Sequence, residues 1–545
     1  MKKLLLILSA VFVSVTSVFA GLNPYAYGLK SYLNDDKSEL TMIYTLNADA
    51  EKSLNNNTVI GVQVYIFEKE NGNIVKTLTN GRITQGTCTL TVSTADLPRE
   101  VPLSWKVVVN GNAKQTAPEV VHDRVSNNRP NATHGVAIDK NPESPSFGSI
   151  YYTEASSGNL NSTWDWMEAY TRPCVWQYTP QLTYSGHFYK DKENNVDVSN
   201  FVTTSQVEPH RVRISDDNRI FVSSCYTDAT TAVWEYKGGN NFNKVITRTS
   251  SYGRVLGMDV FGSGNNLKIL LCYMSGNKLT FREYALGSAG SISGSGTDKG
   301  TYTDQTLVIS GSRVGVAYDD NGESFWFAID RSTGYSSRVI HMKKSGSNYV
   351  CGTVNKCPLN TGGDGIFVKG NLLVKGIATS GDNSAAGRLY FFKINGDKIM
   401  NDAGSASLQY YSECEYIDTW TSYWVNDIDM DYAGNLYIAS AYAGNAIAIS
   451  MPYDGRRETE ARDVYTFTVS DPVPNILATD LRYDIVRGKN QYEFSFNVNT
   501  KPEEAQLRFY KSYEDMQKSF NVVNADNFDG NNNNKPLFVY NYLFG

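Results

Sequence analysis

The sequence predicts an all-β protein, a β-propeller of about six blades flanked by β-sandwich modules. Glycine (44 residues) and tyrosine (36 residues) are abundant and helix-forming runs are scarce, which favours strands joined by tight turns. A short apolar strand that ends in aspartate recurs along the middle of the chain, and such a repeat is typical of propellers. At 545 residues the chain is too long for one ordinary core, so we expect several domains.

Residues 1–20 predict a cleavable signal peptide. Lys2 and Lys3 supply positive charge ahead of an apolar stretch from Leu4 to Val18, and a small residue, Ala20, precedes the expected cleavage point. The stretch is shorter than a comfortable membrane span, although an uncleaved anchor remains an alternative. We therefore expect an exported protein, periplasmic, cell-surface or extracellular, with no transmembrane segment after signal cleavage.

Residues 21–113 have the pattern of a single β-sandwich. Leu40 to Leu46 and Val62 to Phe67 alternate between apolar and polar residues, as half-buried strands do. Asn71-Gly72 is a strong hairpin signal. About five to seven short strands in about ninety residues are typical of a sandwich.

This pattern resembles the immunoglobulin-like module of the flagellar-hook-cap type, which occurs in secreted bacterial proteins. The matching residues are Ile43, Tyr44, Leu46, Ala48, Val64, Ile66, Gly72, Val75 and Leu78. The sequence departs from that module by an insertion at Asn55–Thr58 and by lacking a later Trp-Asp-Gly motif. The resemblance implies an immunoglobulin-like β-sandwich with a spacer role, and it implies no chemistry.

Residues 114–468 contain the internal repeat and are assigned to the propeller. In five segments a short apolar strand ends in aspartate: His134–Asp139, Arg211–Asp216, Arg254–Asp259, Arg313–Asp319 and Asn426–Asp431. The long gap before the last segment contains Gly370–Val374, which we interpret as part of an unmarked blade. Four-stranded blades of about 40 to 60 residues explain the spacing, and we expect six of them. Five or seven blades, or a large irregular sandwich, remain alternatives.

Two further features of the repeats concern structure rather than chemistry. Each terminal aspartate is expected to hydrogen-bond the turn that leaves its strand. Tyr318–Phe325 resembles the Asp box of sialidases, although a tyrosine replaces the leading serine. In that family the box is a structural turn remote from catalysis, so the resemblance does not imply a sialidase.

The last segment, 469–545, predicts a C-terminal partial β-sandwich. Asp471–Pro474 is a stiff linker, and Tyr492–Val498 and Ala505–Tyr510 resemble the strands of the first sandwich in pattern. Signal peptide, sandwich, propeller and terminal sandwich together resemble secreted bacterial β-propeller proteins of a domain-of-unknown-function family. That family has no agreed activity to transfer.

The repeat also predicts a ligand site at one mouth of the propeller channel. The innermost strands of the blades start near that mouth, and alignment on the terminal aspartates places five polar side chains there: His134, Arg211, Arg254, Arg313 and Asn426. Converging hydrogen-bond donors in a concavity suit a carboxylate or another anionic group. The alternative is that these residues pair with acids of neighbouring blades.

Aromatic side chains form a second candidate site. Two aromatic clusters are interrupted by polar residues, which favours exposure: Trp164, Trp166 and Trp176, and then Trp420 with Trp424. Exposed aromatic rings stack on sugar rings, and core packing is the competing interpretation.

Charge and cysteine content exclude several classes of protein. The formal net charge is −6, or about −8 without the signal-peptide lysines, and no Lys/Arg-rich run is present, which argues against nucleic acid. No spacing of cysteine and histidine predicts a metal site, and no motif predicts a cofactor. Cys351 and Cys357 are close enough in sequence for a disulfide in an oxidising compartment, or they are free thiols.

The sequence contains no catalytic motif, so we expect a non-catalytic binding protein. Its partner would be a glycan or an extracellular protein, bound at the channel mouth. The alternative is a propeller-type polysaccharide hydrolase or lyase, which would use carboxylates such as Asp427, Asp429 or Glu154.

Overall fold

The structure of the protein is a computed structural model. It describes residues 21–50, 61–79, 84–111, 118–122, 133–154, 174–188, 209–224, 231–238, 242–247, 250–292, 294–304, 313–330, 338–356, 364–377, 387–400, 412–416, 424–441, 447–451, 456–470, 478–486, 491–498, 504–509 and 538–543. The predicted signal peptide, 1–20, lies outside the described residues. The chain divides into two compact units, one ending at Val469 and one beginning at Ser470.

Most of the described first unit is a β-propeller, because six of its antiparallel sheets each run from an innermost to an outermost strand, and five of the six follow the order of the chain. The first three sheets contain Thr133–Ile138, Ile150–Glu154, Cys174–Tyr178 and Tyr184–Phe188; then Pro209–Ile214, Ile220–Ser224, Thr231–Tyr236 and Phe242–Thr247; then Arg254–Phe261, Lys268–Ser275, Lys278–Ala285 and Thr297–Thr303. The fourth contains Arg313–Tyr318, Phe325–Asp330, Arg338–Ser345 and Asn348–Lys356. The fifth contains Ile366–Lys369, Leu372–Ile377 and Gly387–Asn395, with Lys398–Met400 and Ser412–Tyr416 both paired to its third strand. The sixth contains Trp424–Met430, Leu436–Ala441, Ile447–Ser450 and Glu119–His122.

The innermost strands of these sheets form a closed ring around a central channel. Each contacts the innermost strand of the next sheet, and that of the sixth sheet contacts that of the first. The sixth sheet also closes the ring through its strand order. Its outermost strand, Glu119–His122, precedes the first sheet in the sequence but pairs with Ile447–Ser450. The all-β and β-propeller predictions are therefore confirmed.

The aspartate-terminated segments coincide with the innermost strands of the first four sheets and of the sixth. Gly370–Val374 lies in the fifth sheet, where it forms a turn and the start of the second strand. Gly315, in the innermost strand of the fourth sheet, lets that strand approach the segment just before the fifth sheet closely. A Cβ on Gly315 would lie 2.0 Å from the carbonyl oxygen of Asp364.

The N-terminal part of the first unit is a β-sandwich whose two sheets share one apolar core around Trp105. One sheet contains Ala26–Leu33, Glu39–Leu46 and Gly86–Ser93. The other contains Val62–Glu68, Ile74–Leu78, Pro102–Asn110, Arg456–Glu460 and Phe467–Thr468. The last two strands follow the propeller strands in the sequence. They lie within the range 114–468, which the sequence analysis assigned to the propeller. Ala461 and Val469, both fully buried, join the sandwich core beside them.

The described part of the second unit contains two antiparallel strand pairs. These are Ala478–Val486 with Gln491–Val498, and Glu504–Phe509 with Phe538–Leu543. Among the described residues of the first unit, short 3-10 helices lie at Ser250–Tyr252, Gly264–Asn266 and Asp463–Tyr465. No helix in the described ranges is long and apolar enough to span a membrane.

Candidate functional site

Arg211 lies inside the channel and ties several sheets together. Its guanidinium donates to the carbonyl oxygens of His134 (2.5 Å) and Val314 (3.3 Å), and to that of Asn426. It also forms a salt bridge with Asp364, and the two side chains are 1% and 0% exposed. The structure therefore places Arg211 in a buried ion pair rather than at an opening.

Arg213 lies two residues further along the same strand, so its side chain leaves the strand on the same face as that of Arg211. Its guanidinium binds both carboxylate oxygens of Asp427, at 2.5 and 2.8 Å, and one oxygen of Asp259, at 3.1 Å. It also donates to the carbonyl oxygen of Val136, at 3.3 Å. The sequence analysis missed this residue, although an Arg-x-Arg pattern in an innermost strand signals two cations facing one channel.

Together the two arginines of the second sheet reach all the other sheets. Arg211 contacts the first, fourth and sixth, and Asp364, which directly precedes the fifth. Arg213 adds the third sheet through Asp259. Backbone amides complete the network, since Asp427 accepts from Val136 across the boundary between the sixth and first sheets. The channel is thus filled by ion pairs at the middle of its length.

Two other residues of the predicted mouth lie beside Arg211. The side chain of Asn426 is fully buried and donates to the carbonyl oxygen of Thr133, at 2.6 Å. The ring of His134 lies 5.2 Å from the ring of His210, centroid to centroid. The structure therefore brings His134, Arg211 and Asn426 together, because the Arg211 side chain donates to the backbone carbonyl oxygens of the other two.

Arg254 and Arg313 begin the innermost strands of the third and fourth sheets, as the repeat predicts. Arg254 is partly buried, and the side chain of Arg313 lies outside the described residues. A role for either residue in ligand binding stays a prediction.

A cavity of about 440 Å³ opens at the end of the channel opposite the mouth predicted from the sequence, where the innermost strands end. All six innermost strands contribute to its wall: Ile138, Ile214, Phe261, Val316, Val368 and Ile428 supply one apolar residue from each. Its polar lining includes Asp216, Asp319 and Asp320, which follow the ends of two strands. This carboxyl-end cavity therefore combines apolar walls with a rim of carboxylates.

Ion pairs hold the wall of the carboxyl-end cavity in place. Asp429 accepts from the backbone amide of Ile138, at 2.9 Å, and from Lys140 Nζ, at 2.5 Å. Asp259 accepts from the backbone amide of Tyr318, at 2.7 Å. Each of these carboxylates joins the innermost strands of two different sheets, which keeps the cavity preorganised.

The charged groups of the wall differ in how the protein affects their pKa values. Burial raises the pKa of the Asp259 carboxyl group, and the nearby Arg213 only partly opposes that shift. For Arg213 itself, burial lowers the pKa, but the charges of Asp427 and Asp259 outweigh it and raise the pKa. Arg213 therefore stays positively charged inside the channel.

The repeat aspartates do not share one role. Asp139 and Asp431 accept hydrogen bonds from the turns that follow them, as expected. Asp259 instead lies within its strand and joins neighbouring sheets. Asp319 accepts a hydrogen bond from His341 Nε2 at 2.9 Å, and the His341 ring stacks on Trp326, 4.4 Å between centroids. The turn after Asp319 is a hairpin between two strands, which agrees with its resemblance to an Asp box.

Of the predicted aromatic cluster, Trp176 is described and is partly buried. Its Nε1 donates to the Glu154 carboxylate at 2.7 Å, and its ring meets that of Tyr184 edge-on. Trp164, Trp166 and Trp420 lie outside the described residues, and so does the side chain of Trp424. Cys351 is exposed at the outer edge of the fourth sheet, and its possible partner Cys357 also lies outside the described residues.

Within the described part of the chain, no group of three or more His, Cys, Asp and Glu side chains is placed to hold a metal ion. Of the carboxylates that line the cavity, Asp259 and Asp429 lie on different strands and bind an arginine, a lysine and backbone amides, and Asp319 and Asp320 bind a histidine and a backbone amide. The arrangement suits recognition of an organic ligand through hydrogen bonds and apolar contacts.

No protein-family model matches the sequence, and no curated protein sequence matches it. Solved structures resemble it at low identity. A gluconolactonase from Xanthomonas campestris is 10% identical, with a TM-score of 0.34 over 63% of this chain and 97% of that one. Hydrazine synthase from Kuenenia stuttgartiensis is 11% identical, with a TM-score of 0.33 over 58% and 75%. An oligogalacturonate lyase from Vibrio parahaemolyticus is 9% identical, with a TM-score of 0.28 over 63% and 93%. Likenesses this weak do not bear on activity.

Proposed function

We propose that this protein is an exported, non-catalytic binding protein that holds a glycan in the carboxyl-end cavity of a six-bladed propeller. The six sheets act as the blades, and an immunoglobulin-like N-terminal sandwich acts as a spacer. A glycan carried by an extracellular protein would fit the same proposal. The observation that carries it is a preorganised cavity of about 440 Å³ to which all six innermost strands contribute.

The size and lining of the cavity suit a short saccharide. Ligand pockets commonly measure about 300 to 1,000 Å³ and combine apolar walls with a few polar groups. Here the partly exposed rings of Phe261 and Phe367 offer faces for the apolar side of a sugar, as aromatic rings do. The rim carboxylates of Asp216 and Asp320 accept hydrogen bonds from hydroxyl groups.

The position of the ion pairs favours this end of the channel over the mouth predicted from the sequence. Arg211 and Asp364 are almost fully buried and have each other as partners, which removes their charges from any ligand. At the carboxyl end, by contrast, Asp216 and Asp320 are exposed. We therefore move the proposed site to the ends of the innermost strands.

The alternative, a polysaccharide hydrolase or lyase, has weaker support. Asp427 binds Arg213 through both oxygens, and Asp429 binds Lys140 and two backbone amides. Glu154 is 1% exposed and accepts from Trp176. Carboxylates held in this way are poorly placed to transfer a proton to a substrate.

Titration of the mature chain with a panel of soluble oligosaccharides tests the proposal. Val368 is a partly exposed wall residue, so Val368→Trp fills the cavity without opening the core. We expect this variant to lower affinity for a bound oligosaccharide at least about tenfold, since it occupies the ligand volume. Val354→Trp is the matched control, because Val354 is 40% exposed on the outermost strand of the fourth sheet.

Calorimetry measures the affinities, and thermal unfolding shows whether both variants are folded. Two results would overturn the proposal. One is an oligosaccharide that binds equally well to the wild type and to the folded Val368→Trp variant. The other is a complete panel, neutral, acidic and basic, to which the wild type does not bind.

A further inference from the structure

The charges around the carboxyl-end cavity are unbalanced. Five acidic side chains line it: Asp216, Asp259, Asp319, Asp320 and Asp429. Two basic side chains line it, Lys140 and Arg213. We infer that the cavity selects sugars with free, protonated amino groups over neutral sugars and rejects acidic ones, an inference that rests on the glycan-binding function proposed above.

Both cations of the lining are already paired with carboxylates of the protein. Arg213 is held by three carboxylate contacts, two from Asp427 and one from Asp259. Asp427 lies just behind the wall, so it adds a further negative charge close to the cavity. Lys140 donates to Asp429 at 2.5 Å. A uronic acid entering the cavity would thus meet cations whose charges are already offset by carboxylates of the protein.

Another lysine near the rim does not reverse this balance. Lys369 ends the innermost strand of the fifth sheet, beside the wall residue Val368. The pKa of its amino group is lowered, first by burial and then by the charges of Lys140 and Arg457. Even with Lys369 included, the five acidic side chains of the lining outnumber three basic ones.

The acidic residues, in contrast, keep capacity to accept hydrogen bonds. Asp216 and Asp320 are exposed, and Asp320 uses one oxygen for the backbone amide of Gly370, at 2.9 Å. Asp319 uses one oxygen for His341. A carboxylate accepts about four hydrogen bonds, so these side chains can bind an ammonium group as well. Hydrogen bonds between charged groups are shorter and stronger than neutral ones.

The expected selectivity follows from Coulomb's law. A unit charge about 5 Å from a carboxylate, at an effective dielectric constant between those of protein and water, changes affinity about tenfold. A sugar with one ammonium group should therefore bind about tenfold more tightly than its neutral counterpart. A uronic acid should bind more weakly than the neutral sugar by a similar factor.

Three tetrasaccharides with different charges test the inference: one of glucosamine, one of N-acetylglucosamine and one of galacturonic acid. Calorimetric titrations of the mature chain are run at about pH 5, above the ordinary pKa of an aspartate (about 3.9) and low enough to keep the amino groups of glucosamine protonated. They are repeated at about 20 mM and about 500 mM NaCl, since salt screens interactions at the rim. We expect the order basic, neutral, acidic at low salt, with the differences reduced at high salt.

A double variant, Asp216→Asn/Asp320→Asn, links the selectivity to the rim. It should lose about tenfold or more in affinity for the basic tetrasaccharide and keep its affinity for the neutral one. The matched control is Asp35→Asn/Asp96→Asn, which changes the net charge equally on exposed positions of the sandwich. It should change none of the affinities.

The outcomes separate the selectivity from the function on which it rests. Equal binding of all three tetrasaccharides, or tighter binding of the acidic one, would overturn the selectivity and leave glycan binding intact. A basic preference that survives in the Asp216→Asn/Asp320→Asn variant would also overturn it. If none of the three binds to the wild type, both the selectivity and the proposed glycan site for these sugars are refuted.

Discussion

Removal of Arg211 should destabilise the propeller strongly. In Arg211→Met, Asp364 keeps a carboxylate that is 0% exposed and has lost its cation. One oxygen of that carboxylate, Oδ1, already has no hydrogen-bond partner among the described residues. Breaking a buried pair by removing one partner costs about 3 to 5 kcal/mol, because a buried charge is left without compensation.

A double variant separates the stranded charge from the loss of packing. Replacing a buried ion pair by apolar residues of similar volume is often close to neutral. Arg211→Met/Asp364→Leu should therefore recover at least about 2 kcal/mol of the loss seen in Arg211→Met. Some loss should remain, since the carbonyl oxygens of His134 and Val314 lose the Arg211 donor in both variants.

Urea unfolding followed by tryptophan fluorescence measures these free energies, because Trp234 and Trp326 are buried in the propeller. The control is Arg456→Met, the same substitution at a side chain that is 62% exposed in its ion pair with Glu458. It should cost less than about 1 kcal/mol. A loss below about 1 kcal/mol in Arg211→Met, or a double variant no more stable than the single one, would refute the role of Arg211 in closing the channel.

Two further predictions concern a buried acid and the strand that returns to the sandwich. Burial raises the pKa of Asp431 from 3.8 to about 6, so between these pH values the folded state keeps a proton that the unfolded state has lost. The free energy of unfolding should therefore fall by about 3 kcal/mol as pH rises through this window. Urea titrations at several pH values measure this, and Asp431→Asn should lose the dependence. A pH dependence unchanged in Asp431→Asn would contradict this. Ala461→Asp should lower the free energy of unfolding by about 3 kcal/mol or more, measured in urea by the fluorescence of Trp105. Val464→Asp, at a position that is 69% exposed, should not lower it. Equal stability of the two variants would mean that this segment lies outside the sandwich core.

Local pattern was enough to predict the innermost strands of five of the six sheets. Apolar segments that end in aspartate, such as His134–Asp139, mark innermost strands because each must face packed neighbours on both sides. The fifth sheet lacks this marker, since Ile366–Lys369 is short and ends in lysine. Its place was inferred from the gap in the repeat instead.

Long-range pairing could not be predicted in the same way. Arg456–Glu460 pairs with Pro102–Asn110, and the whole propeller lies between these two strands in the sequence. The segment is polar, with a burial pattern that leaves only Thr459 buried, and nothing in it identifies a partner. Glu119–His122 is similar, because a four-residue strand carries too little pattern to show that it completes the sixth sheet.

The position of the site depends on the same kind of distant contact. Arg211 and Arg213 share a face of one strand, so the sequence places both in the channel without ranking them. Asp364, which precedes the fifth sheet, distinguishes them, because it holds Arg211 in a buried ion pair. With that pair in place the channel is filled at its middle, and a ligand that enters at the carboxyl end meets Arg213 and its carboxylates as the floor. The residue that sets the depth of the cavity is therefore one that no ligand in it would touch.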